Sequence, residues 1–315
     1  MIVFRSPEEV PEDFGASVVA IGKFDGVHIG HQAVIRRMRE DAAAIGARAV
    51  AVTFDRNPLA LLRPEICPES VVDLERKLEL LADTGIDATL VLTFDRELSS
   101  REPADFVTGI LVDALHVRTV LVGADFRFGR GGAGTPEVLR ELGAQHGFTV
   151  DLVDDVFLPG SDRRVSSTWV RELLDAGDVA EAARVLGRPV SVSGEVVHGL
   201  KRGRELGFPT ANLSETVDAL VPADGIYAGW LVDGDERYPS AISVGTNPTF
   251  DDVARRQVEA HVLGESGLDL YGHQVTVEFA DRLRGMVAFE GIEALIAQID
   301  ADVAAAKRML GIEGR

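Results

Sequence analysis

The sequence is short of the features that mark several protein classes. It holds one cysteine, Cys67, in 315 residues. A single thiol cannot close an internal disulfide, so a reducing compartment is expected. Its segment, Pro64-Glu-Ile-Cys-Pro68, has no histidine or second cysteine nearby, and it reads as inert. The first residues, Met1-Ile-Val-Phe-Arg-Ser-Pro, lack the basic start and apolar core of a signal peptide. No apolar run approaches the roughly 20 residues needed to span a bilayer. Together these predict a soluble cytoplasmic protein. Positive charge is scarce: 32 Lys and Arg against 51 Asp and Glu leave a formal net charge of −19. Nucleic acid and anionic membranes need a positive footprint, so neither is an expected partner. There is no internal repeat and no low-complexity segment.

What is present reads as two domains, 1–186 and 187–315. In the first, short apolar runs alternate with helical patterns. Val18–Ile21, Ala49–Phe54, Ala88–Leu92, Thr119–Val122 and Phe148–Val153 read as strands. Helices are predicted after Gly30, around Leu74–Ala82, over about Pro103–Leu115 and from Thr135-Pro136 to His146. This alternation predicts an α/β domain with a doubly wound parallel sheet. Ser167 or Thr168 caps a helix that Gly177 stops, and Asp178 caps a second one. Beyond Gly187 the pattern changes. Val190–Val197, Gly225–Val232, Ser240–Val244, Gln257–Leu263 and Gln274–Phe279 are short strand candidates, which suggests a small antiparallel β-barrel. A terminal helix follows, with Ile292, Leu295, Ile296, Ile299, Val303 and Leu310 on one stripe, read as a packing face.

Gly22-Lys-Phe-Asp-Gly-Val-His-Ile-Gly-His31 follows the first strand and opens the first helix. Glycines let the backbone approach a phosphate there, and the helix N-terminus favours an anion. His28 and His31 fall on one side of the first turn. They can donate to phosphate oxygens and steady charge growing on an α-phosphate. A metal pair or two surface histidines are the alternatives, which the strand–loop–helix context disfavours. In the second half, Gly194-Glu-Val-Val-His-Gly-Leu-Lys-Arg-Gly-Arg-Glu-Leu-Gly-Phe-Pro-Thr-Ala-Asn212 joins a strand to a basic glycine loop. Gly199, Lys201, Gly203 and Arg204 can cradle a polyphosphate. Thr210 and Asn212, two apart in extended chain, offer neutral oxygens that suit Mg²⁺.

These segments resemble the bacterial bifunctional riboflavin kinase/FMN adenylyltransferase (FAD synthetase) family. The first is similar to the His-x-Gly-His signature of nucleotidyltransferases. Thr53-Phe-Asp-Arg-Asn-Pro58, Val122-Gly-Ala-Asp-Phe-Arg-Phe-Gly129 and Ser166-Ser-Thr-Trp-Val-Arg171 resemble further segments of the adenylyltransferase module. Residues 194–212 resemble the riboflavin kinase signature. Gly225-Ile-Tyr-Ala-Gly229, Ser243-Val-Gly-Thr-Asn-Pro-Thr-Phe250, Val258-Glu-Ala-His261 and Asp269-Leu-Tyr-Gly272 continue the likeness. It covers about residues 15–310.

The resemblance implies two activities that use ATP and Mg²⁺. The C-terminal module would phosphorylate riboflavin to FMN. The N-terminal module would adenylylate FMN to FAD with release of pyrophosphate. It implies Glu259 as the kinase base, although alternation alone reads it as a solvent-face carboxylate. His28 and His31 would act in adenylyl transfer, and Gly22, Phe24, Asp25, Gly30, Ser167, Thr168 and Arg171 would bind its ATP. Capping by Ser167 or Thr168 is compatible with that use, and Arg171 has a surface salt bridge as its alternative. Asp125 would lie on the base or flavin side, or merely stabilise a turn. Asn57 stands where the family usually has histidine, so charge stabilisation there is weakened. Arg130-Gly-Gly-Ala-Gly134 replaces a more basic stretch and predicts a looser loop. A kinase with a silent adenylyltransferase, a flavin-binding regulator without turnover, and an adenylyltransferase for another acceptor are the rival readings. The oligomeric state is not legible.

Overall fold

Val18, Val19 and Ala20 are fully buried, as are Val50, Ala51 and Val52. Strands covered on both faces carry such unbroken apolar runs, and they belong to parallel sheets. The computed structural model describes residues 1–198, 207–214, 216–247, 255–265 and 267–312. It divides into two compact units, Met1–Val165 and Ser166–Arg315.

The first unit is a six-stranded parallel sheet of β1 (Ile2–Phe4), β2 (Ser17–Ile21), β3 (Arg48–Phe54), β4 (Ala88–Leu92), β5 (Val117–Gly123) and β6 (Thr149–Val153). The strand order is β1-β4-β3-β2-β5-β6. The chain winds from β2 through β3 to β4 on one side, and through β5 to β6 on the other. The predicted doubly wound sheet is therefore present, and its order reverses at β2. Three-residue β1 is too short to show a period and was not predicted. Between the strands lie α1 (Ile29–Ile45), α2 (Leu59–Leu62), α3 (Leu74–Asp83), α4 (Arg96–Ser100), α5 (Pro103–Phe106) and α6 (Pro136–His146). From Val107 to Ala114 α5 continues as a π-helix. Its Phe106, Ile110 and Leu111 pack with Val19, Val52, Leu90 and Val120 in the main core. Thr135 caps α6 and Pro136 opens it, as read from the sequence.

In the second unit, α7 (Ser167–Ala176) and α8 (Val179–Leu186) precede a closed barrel. Its strands are β7 (Val190–Val197), β8 (Ala211–Leu213), β9 (Gly225–Asp233), β10 (Glu236–Asn247), β11 (Arg255–Val262) and β12 (Gln274–Arg284), in the order β10-β11-β8-β7-β12-β9. In β7 every second residue is buried, the alternation a filled barrel requires. Tyr227 is fully buried, meets Phe279 edge-on, and donates its hydroxyl to the Ala223 carbonyl.

Three details differ from the sequence expectation. Ser166, not Ser167 or Thr168, caps α7: its backbone is extended and its Oγ accepts from Trp169 N–H at 3.2 Å. Ser167 and Thr168 are thus the first two helical residues. The contact boundary falls before α7, whereas the sequence boundary was set after α8. The reason is that α7 is gripped by the barrel. Arg282 donates to the Ala176 carbonyl at 3.0 Å and to the Asp224 carbonyl at 2.5 Å, and Ala223 N–H bonds Leu174 O at 2.8 Å. Gly177 is where the guanidinium passes; a Cβ there would lie 2.8 Å from Arg282 Nη1. The terminal helix α9 (Ile292–Met309) packs only in part. Val303 and Leu310 join Ala228, Leu263 and Ala306, while Ile292 is 64% exposed. Buried Asp302 interrupts the stripe, because it holds Arg284 bidentately at 2.9 and 2.6 Å.

Candidate active sites

In a doubly wound sheet, ligands bind beyond the carboxyl ends of the strands where the order reverses. Here that point lies between β2 and β5. The loop after β2 carries the Gly22–His31 motif, and Asp125 follows β5. The sequence-predicted histidines and Asp125 thus stand at the two strand ends that flank the switch point.

His28 is the N-cap of α1, with its Nδ1 accepting from His31 N–H at 3.3 Å. The two imidazoles stack with centroids 3.6 Å apart and planes 15° apart. A Cβ at Gly30 would lie 3.1 Å from His28 Nδ1 and crowd the ring, so glycine leaves the imidazole its place. Burial, with His28, Lys23 and Lys77 nearby, holds His31 well below the ordinary histidine range. His31 is therefore neutral at pH 7 and offers an N–H dipole rather than a charge. Its Nδ1 is enclosed and has no hydrogen-bond partner among the described residues.

The loop leading to these histidines is strained. Phe24 has φ 49° and Val27 φ 41°, in the left-handed region that costs a non-glycine residue about 1–2 kcal/mol. Gly22 N–H bonds Val52 O at 3.0 Å, and Gln32 Nε2 donates to Val27 O at 2.9 Å. The Phe24 ring is buried and meets His31 edge-on, so it supports the imidazole from inside the core. Asp25 accepts from Val71 N–H at 2.8 Å. Beside this loop lies a cleft of about 340 Å³, lined by Lys23, Asp25, Asp55, Asn57, Cys67 and Lys77 among others. Asn57 Oδ1 accepts from Leu59 N–H at 3.1 Å and so opens α2. Asp125 is exposed and shares Arg164 with Asp155, at 3.4 and 3.2 Å. Residues 130–134 are not a loose loop: Phe128 and Gly134 bridge, Arg130 N–H bonds Arg101 O at 2.7 Å, and the Arg130 side chain pairs with Glu102. Ser167, Thr168 and Arg171 lie in the first turns of α7, in the second unit.

In the barrel, strand register brings three of the sequence-predicted residues together. Glu259 on β11 stands directly opposite Asn212 on β8. Thr210 Oγ1 donates to Glu259 Oε2 at 3.3 Å and accepts from Asn212 Nδ2 at 3.1 Å. Burial raises the Glu259 carboxyl above the ordinary range, and the Thr210 hydroxyl opposes that. Thr210 and Asn212 also line a cleft of about 590 Å³, closed on another side by Gly267–Tyr271. His261 Nδ1 bonds the Pro209 carbonyl at 2.8 Å, which fixes the chain entering Thr210. Gly199, Lys201, Gly203 and Arg204 lie outside the described residues. No cluster of three or more His, Cys, Asp or Glu among the described residues could hold a metal alone. The hydroxyl of Thr210 and the amide oxygen of Asn212 instead fit a hard cation whose other ligands are nucleotide oxygens and water.

A family model for FAD synthetase matches residues 10–169, and one for riboflavin kinase matches residues 186–310. A bifunctional riboflavin kinase/FMN adenylyltransferase of Pseudomonas fluorescens is 40% identical over 300 residues, covering 95% of this chain and 94% of that one. The chain belongs to the bifunctional riboflavin kinase/FMN adenylyltransferase family. The Escherichia coli K12 member of this family is 35% identical over 296 residues, covering 94% and 93% of the two chains. A solved structure from Streptococcus pneumoniae, described as a macrolide-efflux protein, superposes with a TM-score of 0.84 at 29% identity over 97% of this chain and 98% of that one. Among the described residues here, no helix is long and apolar enough to cross a membrane.

Sequence reasoning missed Lys77 and Arg164. Lys77 is buried, and a signal was available: it falls on the same helical stripe as Leu74, Leu78 and Leu81. Arg164 carried none, being one of several arginines in a polar stretch.

Proposed function

We propose that this chain makes FAD in two steps, each run by one constellation described above. Riboflavin is phosphorylated to FMN by ATP, and FMN is then adenylylated by a second ATP to give FAD and pyrophosphate. Both are phosphorus transfers, in which positioning and charge stabilisation supply most of the acceleration.

In the kinase, Glu259 accepts the proton of the riboflavin 5′-hydroxyl as that oxygen attacks the γ-phosphorus, and ADP leaves. Thr210 donates to the carboxylate and so orients it. Thr210 and Asn212 would hold Mg²⁺, which when bound offsets phosphate charge. Gly199, Lys201, Gly203 and Arg204 are assigned to the ATP phosphates from the motif. In the adenylyltransferase, an FMN phosphate oxygen attacks the α-phosphorus and pyrophosphate departs. His28, His31 and the amides at the start of α1 donate to the oxygens on which charge grows. Gly22 and Gly30 keep the approach open, while Phe24 and Asp25 hold the loop in shape. Ser167, Thr168 and Arg171 are assigned to the triphosphate, and Asn57 and Asp125 to the flavin or base side, on the strength of their motifs. A cytoplasmic setting fits the lone thiol and the use of ATP.

The observation that carries this reading is the register that sets Glu259 against Asn212 and Thr210. The test is to incubate the pure protein with riboflavin and MgATP and to separate riboflavin, FMN and FAD over time. FMN followed by FAD is expected. FMN that accumulates without FAD would remove the adenylyltransferase half; no FMN would remove the kinase half.

A further inference from the structure

Lysine is almost never buried without compensation, yet Lys77 on α3 is 8% exposed. Its Nζ donates to the Phe54 carbonyl at 2.8 Å and reaches the Lys23 carbonyl at 3.5 Å. Phe54 is the last residue of β3, and Lys23 lies in the loop after β2. One ammonium therefore joins the ends of two neighbouring strands, next to the point where the sheet order reverses. Asp25 and Asp55 favour its charge, while burial lowers its pKa.

The carbonyl it reaches is not an arbitrary one. Thr53, itself fully buried, donates its hydroxyl to the same Lys23 oxygen at 3.1 Å. Directly after Lys23 come Phe24, Gly26 and Val27, all with positive φ. The turn ends at His28, whose ring caps α1 and stacks on His31. Strained turns persist only where their surroundings over-determine them. Two donors converging on the carbonyl that opens the turn are such a determination.

We propose that Lys77 is a positioning residue of adenylyl transfer: by holding the ends of the β2 and β3 segments together, it fixes the strained turn that presents His28 and His31. This rests on the assignment of those histidines to adenylyl transfer. Lys77 acts through the loop and is not assigned a contact with substrate. A lysine kept merely for stability would lower the unfolding temperature and leave the FAD rate of the folded protein unchanged, which assays below unfolding separate from a positioning role.

The full chain supplies its own control, because the kinase constellation lies in the other unit. Wild type, Lys77→Met, Lys77→Arg, Thr53→Val, the Lys77→Met/Thr53→Val double variant and His28→Ala are assayed below their unfolding temperatures. Each is assayed for FAD from FMN and MgATP, and for FMN from riboflavin and MgATP. In Lys77→Met, kcat for FAD is expected to fall about 100-fold, the scale of a misplaced reacting geometry. KM for ATP should stay within about threefold, since the loss falls on the transition state. Riboflavin phosphorylation should be unchanged. Lys77→Arg should recover part of the FAD rate. Thr53→Val should lose less than Lys77→Met, and the double variant less than the product of the two, because both donors serve one carbonyl. Wild-type kcat in Lys77→Met, equal loss of both activities, no recovery in Lys77→Arg, or strictly multiplicative losses would each overturn the proposal. If His28→Ala leaves FAD synthesis intact, the site assignment itself fails; if it abolishes FAD synthesis and Lys77→Met does not, only the role of Lys77 falls.

Discussion

Replacing Glu259 by glutamine separates the two activities and sets function against stability at one atom. The substitution keeps an oxygen that can accept from Thr210, now 3.3 Å from the carboxylate, so the β8–β11 pairing should survive. What it removes is the ability to take a proton. A positioned general base contributes about 10²–10⁴-fold, or roughly 3–5 kcal/mol of barrier at 1.36 kcal/mol per decade. Riboflavin phosphorylation should fall by that factor, while FMN supplied directly should still become FAD at the wild-type rate. The stability effect runs the other way. Burial raises the Glu259 pKa, so between its unfolded value near 4.5 and its raised folded value the native state binds more protons than the unfolded state. Stability then falls as pH rises through that window, and the cost is complete above it. Glutamine carries no such cost, so the variant should unfold at the same or a higher temperature than wild type at pH 7. The assay is chromatographic separation of the three flavins, with thermal unfolding of both proteins at pH 7. A kinase rate within threefold of wild type, or a parallel loss of FAD synthesis, would refute the assignment.

Other outcomes follow from the same geometry. His28→Asn should keep α1 capped, since asparagine is a good N-cap, yet lose FAD synthesis; His28→Ala should in addition cost about 1 kcal/mol in unfolding. Retention of FAD synthesis by His28→Asn would show that the ring matters only as a cap. Because burial and nearby cations hold His31 neutral, FAD synthesis should not lose rate through protonation of His31 until well below pH 6.5, and unfolding profiles should show stability falling as the pH drops below that value. An acid limb at the ordinary histidine pKa would contradict this. Asn57→His should not reduce FAD synthesis, as a histidine nitrogen can replace the acceptor that opens α2; a large drop in the FAD assay would mean the amide itself is needed. Asp302→Ala should strand the Arg284 guanidinium and destabilise the chain by about 3 kcal/mol, the low end for a buried pair because Arg284 keeps some exposure, measured by denaturant unfolding.

The sheet was legible because buried parallel strands write their burial directly as Val- and Ala-rich runs. The barrel was legible in β7 and β9 but less so in β8, where three residues inside a signature cannot display a period. Glu259 shows how pattern and register differ. Alternation alone put its carboxylate on the solvent face, and only pairing with β8 brings it against Asn212 and Thr210. The histidines were found through their glycine loop, but their stacking and the neutrality of His31 arise from packing that spacing does not encode. Ser166 was passed over as the cap because Ser166, Ser167 and Thr168 are all competent caps, and the extended backbone at 166 decides among them. Lys77 was hidden by its charge, since a lysine on a helix is read as a solvent residue unless its stripe is checked.

The grip of Arg282 on α7 bears on how such a gene can be inherited. The sequence of the FAD synthetase module runs to residue 169 and that of riboflavin kinase begins at 186, yet α7, which straddles the first of these borders, closes on the barrel. Its first turns carry the serine, threonine and arginine that read as adenylyltransferase, while its last carbonyl belongs to a kinase arginine. Recombination at the first border would split the helix, and at the second it would part the helix from its clasp. A cut before Ser166 keeps the helix and its clasp together, with the Ser166–Arg171 segment travelling in the company of the barrel.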